Sequence, residues 1–287
     1  MGEVLHAIAA RIRSDAATLR KVEAGGRVIS YRAAGDLSAP VLVALHGVGS
    51  GSASWMAQLD ELPARGFRVV AWDAPGYGDS TPLAPSAPSA GDYAAALADF
   101  VASLGLERFT LIGHSLGALM AAAYCRGLEA RRVERLVLAS PAAGYGSLPE
   151  ETRQCRTEER LAAMARLGPA GLAAERAAVL LSPHASAAAV EQVRVVMRAL
   201  RPDGYAQAVR MLGAADIFTD AGGIKVPALV LCGSADTVTP EAGCRRVAEA
   251  IPGSAYEALP GLGHVAYVED AARFNAAVLR FLEAENI

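Results

Sequence analysis

Seven short runs of apolar and β-branched residues punctuate the chain: Arg27–Ala33 (RVISYRA), Val41–Leu45 (VLVAL), Arg68–Trp72 (RVVAW), Phe109–Ile112 (FTLI), Arg135–Ala139 (RLVLA), Ala228–Cys232 (ALVLC) and, more weakly, Ser254–Leu259 (SAYEAL). The middle runs are nearly continuous in apolar residues and do not alternate. Strands buried on both faces of a parallel sheet read this way, because neither face meets water. Between most of them the apolar positions take helical spacing: Ser54–Leu62, Tyr93–Leu104, Leu116–Gly127, Pro240–Ala250 and Ala271–Ala284. Strand alternating with helix predicts an α/β fold with right-handed crossovers.

Two stretches break this rhythm. Ser80 to Gly91 (STPLAPSAPSAG) is too rich in proline for a regular element and reads as a loop. Pro141 to about Gly223 has no convincing strand. It has helical runs instead, near Glu150–Leu167, Ala170–Leu181, Ala187–Leu200 and Gly204–Ala214. One crossover needs only one helix, so some eighty helical residues between two sheet strands predict a lid. The first twenty residues place Val4, Leu5, Ile8 and Ile12 at helical spacing, which predicts a short amphipathic helix. Glu3 and His6 interrupt it, so it is not a signal peptide.

Composition narrows the function classes. The 287 residues are 53% apolar, enough for one large core plus an insertion. A formal charge of −3, with arginines scattered among glutamates, speaks against a nucleic-acid partner. No run is long and apolar enough to span a membrane. Cys125, Cys155, Cys232 and Cys244 are far apart and form no C-x-x-C pair, so neither a zinc site nor a redox motif is expected. Free thiols and the absence of targeting signals point to the cytoplasm. The partner left by these exclusions is a small-molecule substrate.

The chemistry begins at Gly113–Gly117 (GHSLG), a G-x-S-x-G segment with a strand before it and a helix after it. A sharp strand-to-helix turn of this kind lifts the serine hydroxyl above the sheet edge, and flanking side chains would collide with neighbouring chain. It also aims the first N–H groups of the helix at the same point. A capping serine would explain the hydroxyl but not both glycines, and a phosphate loop would need the missing lysine. Ser115 therefore reads as a nucleophile and needs a base. Of the five histidines, His6 lies on the terminal helix, His184 in the insertion, and His46 at a strand end. His114 adjoins Ser115 and is expected to point away from the pocket. His264, in the loop after the last strand (GLGHVAYVED), sits where open α/β sheets bind ligands. Asp236, in a loop just after the Ala228–Cys232 strand, can accept from His264 Nδ1–H and set its tautomer. It could instead cap the next helix, although Thr239 before Pro240 is better placed for that. The oxyanion donors are expected to be the backbone N–H of Leu116 and that of Val48, in the His46–Ser52 loop (HGVGSGS).

Taken together, these residues resemble the α/β-hydrolase superfamily. DAPGYGDS (Asp73 to Ser80) is similar to the family's D-x-P-G-x-G-x-S turn, and LGHVAYVED to its histidine loop. The resemblance implies a mostly parallel sheet of about eight strands flanked by helices, with a helical cap inserted after the sixth. The core would comprise residues 1–140 and 224–287, and the cap residues 141–223. Asp73, Gly76, Gly78 and Ser80 would shape a turn near the site. The triad would be Ser115, His264 and Asp236, with no metal and no organic cofactor. Haloalkane dehalogenases and epoxide hydrolases carry aspartate where Ser115 stands. Carbon–carbon bond hydrolases usually have tryptophan where Val265 follows His264, and proline iminopeptidases have it where Leu116 follows Ser115. The resemblance therefore implies a carboxylic esterase or a lactonase of the 3-oxoadipate enol-lactonase type. Amidase, thioesterase and carbon–carbon hydrolase activity, or a non-catalytic ligand receptor, are the alternatives. Arg153, Arg156, Arg160 and Arg198, among small side chains of the insertion, would allow a small or acidic acyl group.

Overall fold

The computed structural model describes residues 19–284, apart from the side chains of residues 128 and 129. The expected N-terminal helix lies outside the described residues. Eight strands form one sheet: β1 (Leu19–Ala24), β2 (Arg27–Ala34), β3 (Val41–Leu45), β4 (Arg68–Trp72), β5 (Phe109–His114), β6 (Val133–Ala139), β7 (Ala228–Gly233) and β8 (Ala255–Leu259). Their order is β1-β2-β4-β3-β5-β6-β7-β8. β2 runs antiparallel to both β1 and β4, and the other pairs are parallel. The continuous apolar runs are the central strands: every residue of β4, β5 and β7 is buried.

Helices cover the sheet: α1 (Met56–Glu61), α2 (Ala90–Ser103), α3 (Leu116–Arg126), α8 (Glu241–Ala250) and α10 (Ala271–Glu283), with a single turn, α9 (Ala266–Glu269), just before the last. α2 starts at a capping box in which Ser89 and Asp92 satisfy each other's backbone N–H. Between β6 and β7 run α4 (Glu150–Arg176), α5 (Ala187–Arg198), α6 (Pro202–Ala214) and the short α7 (Phe218–Ala221). The break expected near residue 168 is real: Gly168 takes φ 61°, and Pro169 follows it, so α4 is two helical segments joined at a kink.

The strand order decides where a site can form. The chain runs from β3 outward to β4, then crosses back to β5 on the other side of β3. The loops leaving β3 and β5 therefore diverge, and a crevice opens between them. In register, Leu45 lies beside Gly113, so the His46–Ser52 loop emerges next to Ser115. β7 and β8 are likewise neighbours, with Gly233 beside Leu259, and their following loops carry Asp236 and His264.

Two glycines make the close approaches at this edge possible. A Cβ on Gly117 would stand 2.7 Å from the Leu45 carbonyl oxygen, so only glycine lets α3 lie against the end of β3. A Cβ on Gly233 would stand 2.3 Å from the carbonyls of Leu262 and Gly263, so only glycine lets the His264 loop fold onto β7.

The residues between β6 and β7 are tied by polar contacts to the Ser80–Gly91 loop and to the segment around His264. Gln207 Nε2 donates to the carbonyls of Leu83 and Pro85, both at 2.7 Å. Arg201 donates to the Ser80 carbonyl. The Glu269 carboxylate accepts from the backbone N–H of Ser182 and of Gly263, both at 2.9 Å, and from the Ser182 hydroxyl. The end of the insertion and the histidine loop thus share one carboxylate.

Candidate active site

Ser115 stands between β5 and α3 with φ 52° and ψ −112°. Among the described residues only Ser115 and Ser140 are non-glycines with positive φ, and both follow strands at this edge. Such backbone strain persists only where surrounding structure enforces it. Here the Ser115 N–H donates to the Ala139 carbonyl at 3.0 Å, and its carbonyl accepts from Ala118 and Ala142. The Ser115 hydroxyl makes no capping bond to α3, so the hydroxyl is free for other work.

His264 and Asp236 meet as the sequence suggests. His264 Nδ1 lies 2.8 Å from Asp236 Oδ2, and both side chains are almost wholly buried. Asp236 Oδ1 accepts from the backbone N–H of Val238 (2.8 Å) and Thr239 (2.9 Å). Burial alone would raise the Asp236 pKa, but hydrogen bonds from His264 and Thr239 outweigh it and hold the carboxyl at about 2. It is a carboxylate at any working pH. Neither Asp236 nor Thr239 caps α8, which corrects the expectation for Thr239. Its hydroxyl lies 2.8 Å from Asp236 Oδ2, 3.1 Å from His264 Nδ1 and 3.1 Å from the Ser140 carbonyl. The Thr239 carbonyl in turn accepts from the thiols of Cys232 and Cys244. Nothing in the local sequence marks Thr239 for this place, because only Asp236 is in the same loop, and Ser140 and His264 come from two other segments.

The loop after β3 is held from below by the Asp73–Ser80 turn. Asp73 accepts from the Ser52 N–H (2.7 Å) and the Ser30 hydroxyl (2.8 Å), and Ser80 Oγ donates to the Asp73 carbonyl. His46 Nε2 accepts from the Ala74 N–H at 3.0 Å, which leaves Nδ1–H to donate to the Gly47 carbonyl. Tyr77 OH donates to the Val48 carbonyl at 2.9 Å. Among the described residues the Val48 N–H has no acceptor. Leu116, the first residue of α3, has an N–H that the helix itself cannot satisfy.

A cavity of about 360 Å³ brings Ser115, Leu116, Val48 and His264 together, roofed by residues of the insertion. Asp236 stands behind His264, outside the lining. The cavity also takes in His114, contrary to expectation. Its ring lies 4.8 Å from that of His264, and its Nε2–H donates to the His264 carbonyl at 3.0 Å. The other nitrogen, Nδ1, is buried and has no partner among the described residues, so a proton there would have no acceptor among them. Burial first, and the neighbouring His264 second, push the His114 pKa down to about 3. It therefore stays neutral beside any charge that His264 acquires. Of the arginines expected near the pocket, Arg156 and Arg160 line it, whereas Arg153 pairs with Glu150 and Arg198 lies outside. Arg176 and Arg246 line it too, and sequence reasoning missed both.

The suppressed titration of His114 has a measurable cost. Unfolding lets the ring bind a proton near pH 6.5, so the unfolded state holds more protons between pH 6.5 and 3. Stability contributed by neutral His114 is present above pH 6.5 and is lost as pH falls, by roughly 2 kcal/mol at pH 5. Denaturant titrations at pH 7, 6 and 5 are expected to show this slope, and His114→Gln is expected to flatten it. His46, lowered by burial in the same direction, remains in the variant and keeps part of it. An equal slope in both proteins would show that His114 is not the group responsible.

The family pattern described as serine aminopeptidase, S33, matches residues 38–271. The chain belongs to this family of α/β-hydrolases. This α/β-hydrolase is 30% identical over 256 residues to RutD of Klebsiella pneumoniae, provisionally named a carbamate hydrolase, with 86% of this chain and 92% of that one covered. It is similar to the enol-lactonase of Burkholderia xenovorans LB400 (TM-score 0.81, 27% identity, 92% of this chain and 100% of that one covered). It is also similar to a thermophilic esterase of Thermogutta terrifontis (TM-score 0.80, 26% identity, 93% and 98% covered). The hydrolase is therefore an enzyme of a hydrolytic family, and among its described residues no helix is long and apolar enough to cross a membrane.

Proposed function

We propose that this hydrolase cleaves carboxylic esters or lactones through an acyl-enzyme formed on Ser115. The observation that carries the reading is the Asp236–His264 pair at 2.8 Å, whose histidine shares one cavity with Ser115 and with the Val48 and Leu116 backbone.

In the first step His264 takes the Ser115 proton on Nε2 as Oγ adds to the substrate carbonyl carbon. The carbonyl π pair moves onto oxygen, where the Val48 and Leu116 N–H groups stabilise it. Collapse of this intermediate breaks the bond to the alcohol oxygen, and His264 hands that oxygen the proton. Water then repeats the sequence: His264 accepts its proton, hydroxide adds to the acyl carbon, and Ser115 leaves with the proton restored. Asp236 stabilises the imidazolium in both halves. Neutral His114 supports the same step, because a second cation beside His264 would oppose it.

Residues 141–223 act in this reading as a lid whose inner face selects the substrate. An aminopeptidase would have to hold a cationic amine, yet among the described residues Arg156, Arg160, Arg176 and Arg246 line the cavity and no aspartate or glutamate does. That disfavours peptide substrates despite the family's description. A carbamate, the substrate class in the RutD name, has the same reacting carbonyl and could enter the same first step. Its nitrogen lowers the electrophilicity of the carbonyl, so the ester is the better substrate for an unassisted serine.

p-Nitrophenyl butyrate, a γ-lactone and an aryl carbamate separate these readings. The expected order of kcat/KM is ester and lactone above carbamate, with p-nitrophenol released catalytically. A folded protein that turns over none of them, and no carboxylate-bearing ester such as monoethyl glutarate, would refute the ester-hydrolase reading and favour a ligand receptor.

A further inference from the structure

The cavity above Ser115 has an unusual charge for an acidic chain. The protein carries 30 acidic and 27 basic residues, yet among the described residues the cavity wall holds four arginines and no carboxylate. Arg156 and Arg160 lie one turn apart on α4, Arg176 ends the same helix, and Arg246 comes from α8. Among the described residues none of the four has a carboxylate within ion-pair distance. Two helices far apart in sequence thus bring like charges to one space, with no carboxylate among the described residues of the wall to balance them.

Arg160 and Arg176 are half-buried, whereas Arg156 and Arg246 are exposed and rest on aromatic rings. Arg160 is half-buried, and its Nε donates to the Tyr145 hydroxyl at 3.0 Å. Its guanidinium also interacts with the Tyr205 hydroxyl. Arg156 lies over the Tyr145 ring, 5.4 Å from its centre, and Arg246 lies 5.2 Å over Phe218. A tyrosine hydroxyl that accepts from arginine keeps its own proton to donate, so Tyr145 and Tyr205 add neutral donors to the charged ones. Among the described residues no carboxylate offsets these guanidinium groups, so an anion that enters the pocket gains their full attraction. Walls of low dielectric, here Leu172, Val193, Val196 and Met197, strengthen the attraction.

We propose that the pocket selects esters or lactones bearing a second, ionised carboxylate, which Arg156, Arg160, Arg176 and Arg246 hold while Ser115 attacks the first carbonyl. The proposal rests on the hydrolase reading and names its substrate class. The product of a carboxylate-bearing acyl group is a dicarboxylate, so such acids are also expected to inhibit competitively. A volume near the lower end for small-molecule pockets suits short-chain acids.

The test compares monoethyl glutarate with ethyl glutaramate, its neutral isostere, by pH-stat. Acetoxyacetate serves as a third substrate, with the carboxylate on the alcohol side. In the wild-type enzyme kcat/KM for monoethyl glutarate or acetoxyacetate is expected to exceed that for the neutral ester by about ten- to a hundredfold, mostly through KM. Arg160→Met is expected to erase most of that ratio, and ethyl glutaramate turnover reports whether the variant has folded. Arg246→Gln, an exposed position, gives the same trend more weakly and does not threaten the fold. Glutarate, but not glutaramide, is expected to inhibit hydrolysis of ethyl glutaramate, and the inhibition should weaken as salt rises. Equal kcat/KM for charged and neutral esters, unchanged by either substitution, would overturn the anion site and leave the hydrolase intact. Arginine-dependent glutarate binding with no hydrolysis of any ester would instead retain the anion site and overturn the hydrolase.

Discussion

Ser115→Ala is expected to abolish ester turnover, by at least about 10⁴-fold in kcat, while leaving the folded structure in place. The two halves of this result come from separate features. Ser115 sits in a strained backbone conformation, but alanine keeps the Cβ and so changes the strain little. The lost hydroxyl caps no helix, and its removal from a buried position costs no structural hydrogen bond. Melting temperature is therefore expected to stay within a few degrees of wild type. Catalysis loses the atom that forms the acyl bond. A fluorophosphonate probe, which marks activated serines covalently, is expected to label the wild type at Ser115 and to leave the variant unlabelled. Labelling at another serine, or turnover surviving within tenfold of wild type, would move the nucleophile elsewhere. The probe also separates a receptor from an enzyme: a serine that no base activates reacts slowly even when its pocket is open.

What could be read in the chain and what could not divides along physical lines. Of the seven strands β2–β8, the wholly buried β4, β5 and β7 were the most legible, because burial on two faces writes a continuous apolar run into the sequence, whereas β8, half-exposed at four of its five positions, read more weakly. β1 (LRKVEA) was not, because it is an edge strand: five of its six positions are exposed or half-exposed, so its composition resembles a loop. Ser115 and Val48 were legible because a tight turn and a close backbone approach both require glycines at fixed spacing. Asp236 and His264 follow strands that could be located. Thr239 was misread as a helix cap because two of the three contacts of its hydroxyl, His264 and the Ser140 carbonyl, are set by tertiary structure, and only Asp236 is a sequence neighbour. The same holds for Arg176 and Arg246, which reach the cavity from the end of α4 and from α8. The misreading of His114 has a simple cause. Neighbouring residues alternate sides in a regular strand, but the Ser115 turn leaves that geometry, so His114 and Ser115 both border the cavity.

Asp236→Asn is expected to lower kcat by about 10⁴-fold, with little loss of stability, because it reverses one tautomer. The asparagine amide has one acceptor and one donor end, and the local contacts decide which end faces where. Oδ1 of Asp236 accepts from two backbone N–H groups, Val238 and Thr239, which cannot turn round. The amide oxygen must keep that position, so the NH₂ group takes the place of Oδ2. There it faces His264 Nδ1 and the Thr239 hydroxyl. Thr239 accommodates the change, accepting from the new NH₂ and donating to the Ser140 carbonyl at 3.1 Å. His264 accommodates it only by becoming an acceptor at Nδ1, which puts its proton on Nε2. That nitrogen can then no longer take a proton from Ser115. Nitrogen-15 shifts of the His264 ring are expected to report the switch from Nδ1–H to Nε2–H, in parallel with the loss of turnover. Thr239→Val is the companion measurement: it keeps the carboxylate and the tautomer, so its loss is expected to stay below about tenfold. An asparagine variant that retains a tenth of wild-type kcat would show that Asp236 only supports the loop. In that case a different group orients the histidine, and the Thr239→Val measurement, at a hydroxyl 3.1 Å from Nδ1, shows whether it is Thr239.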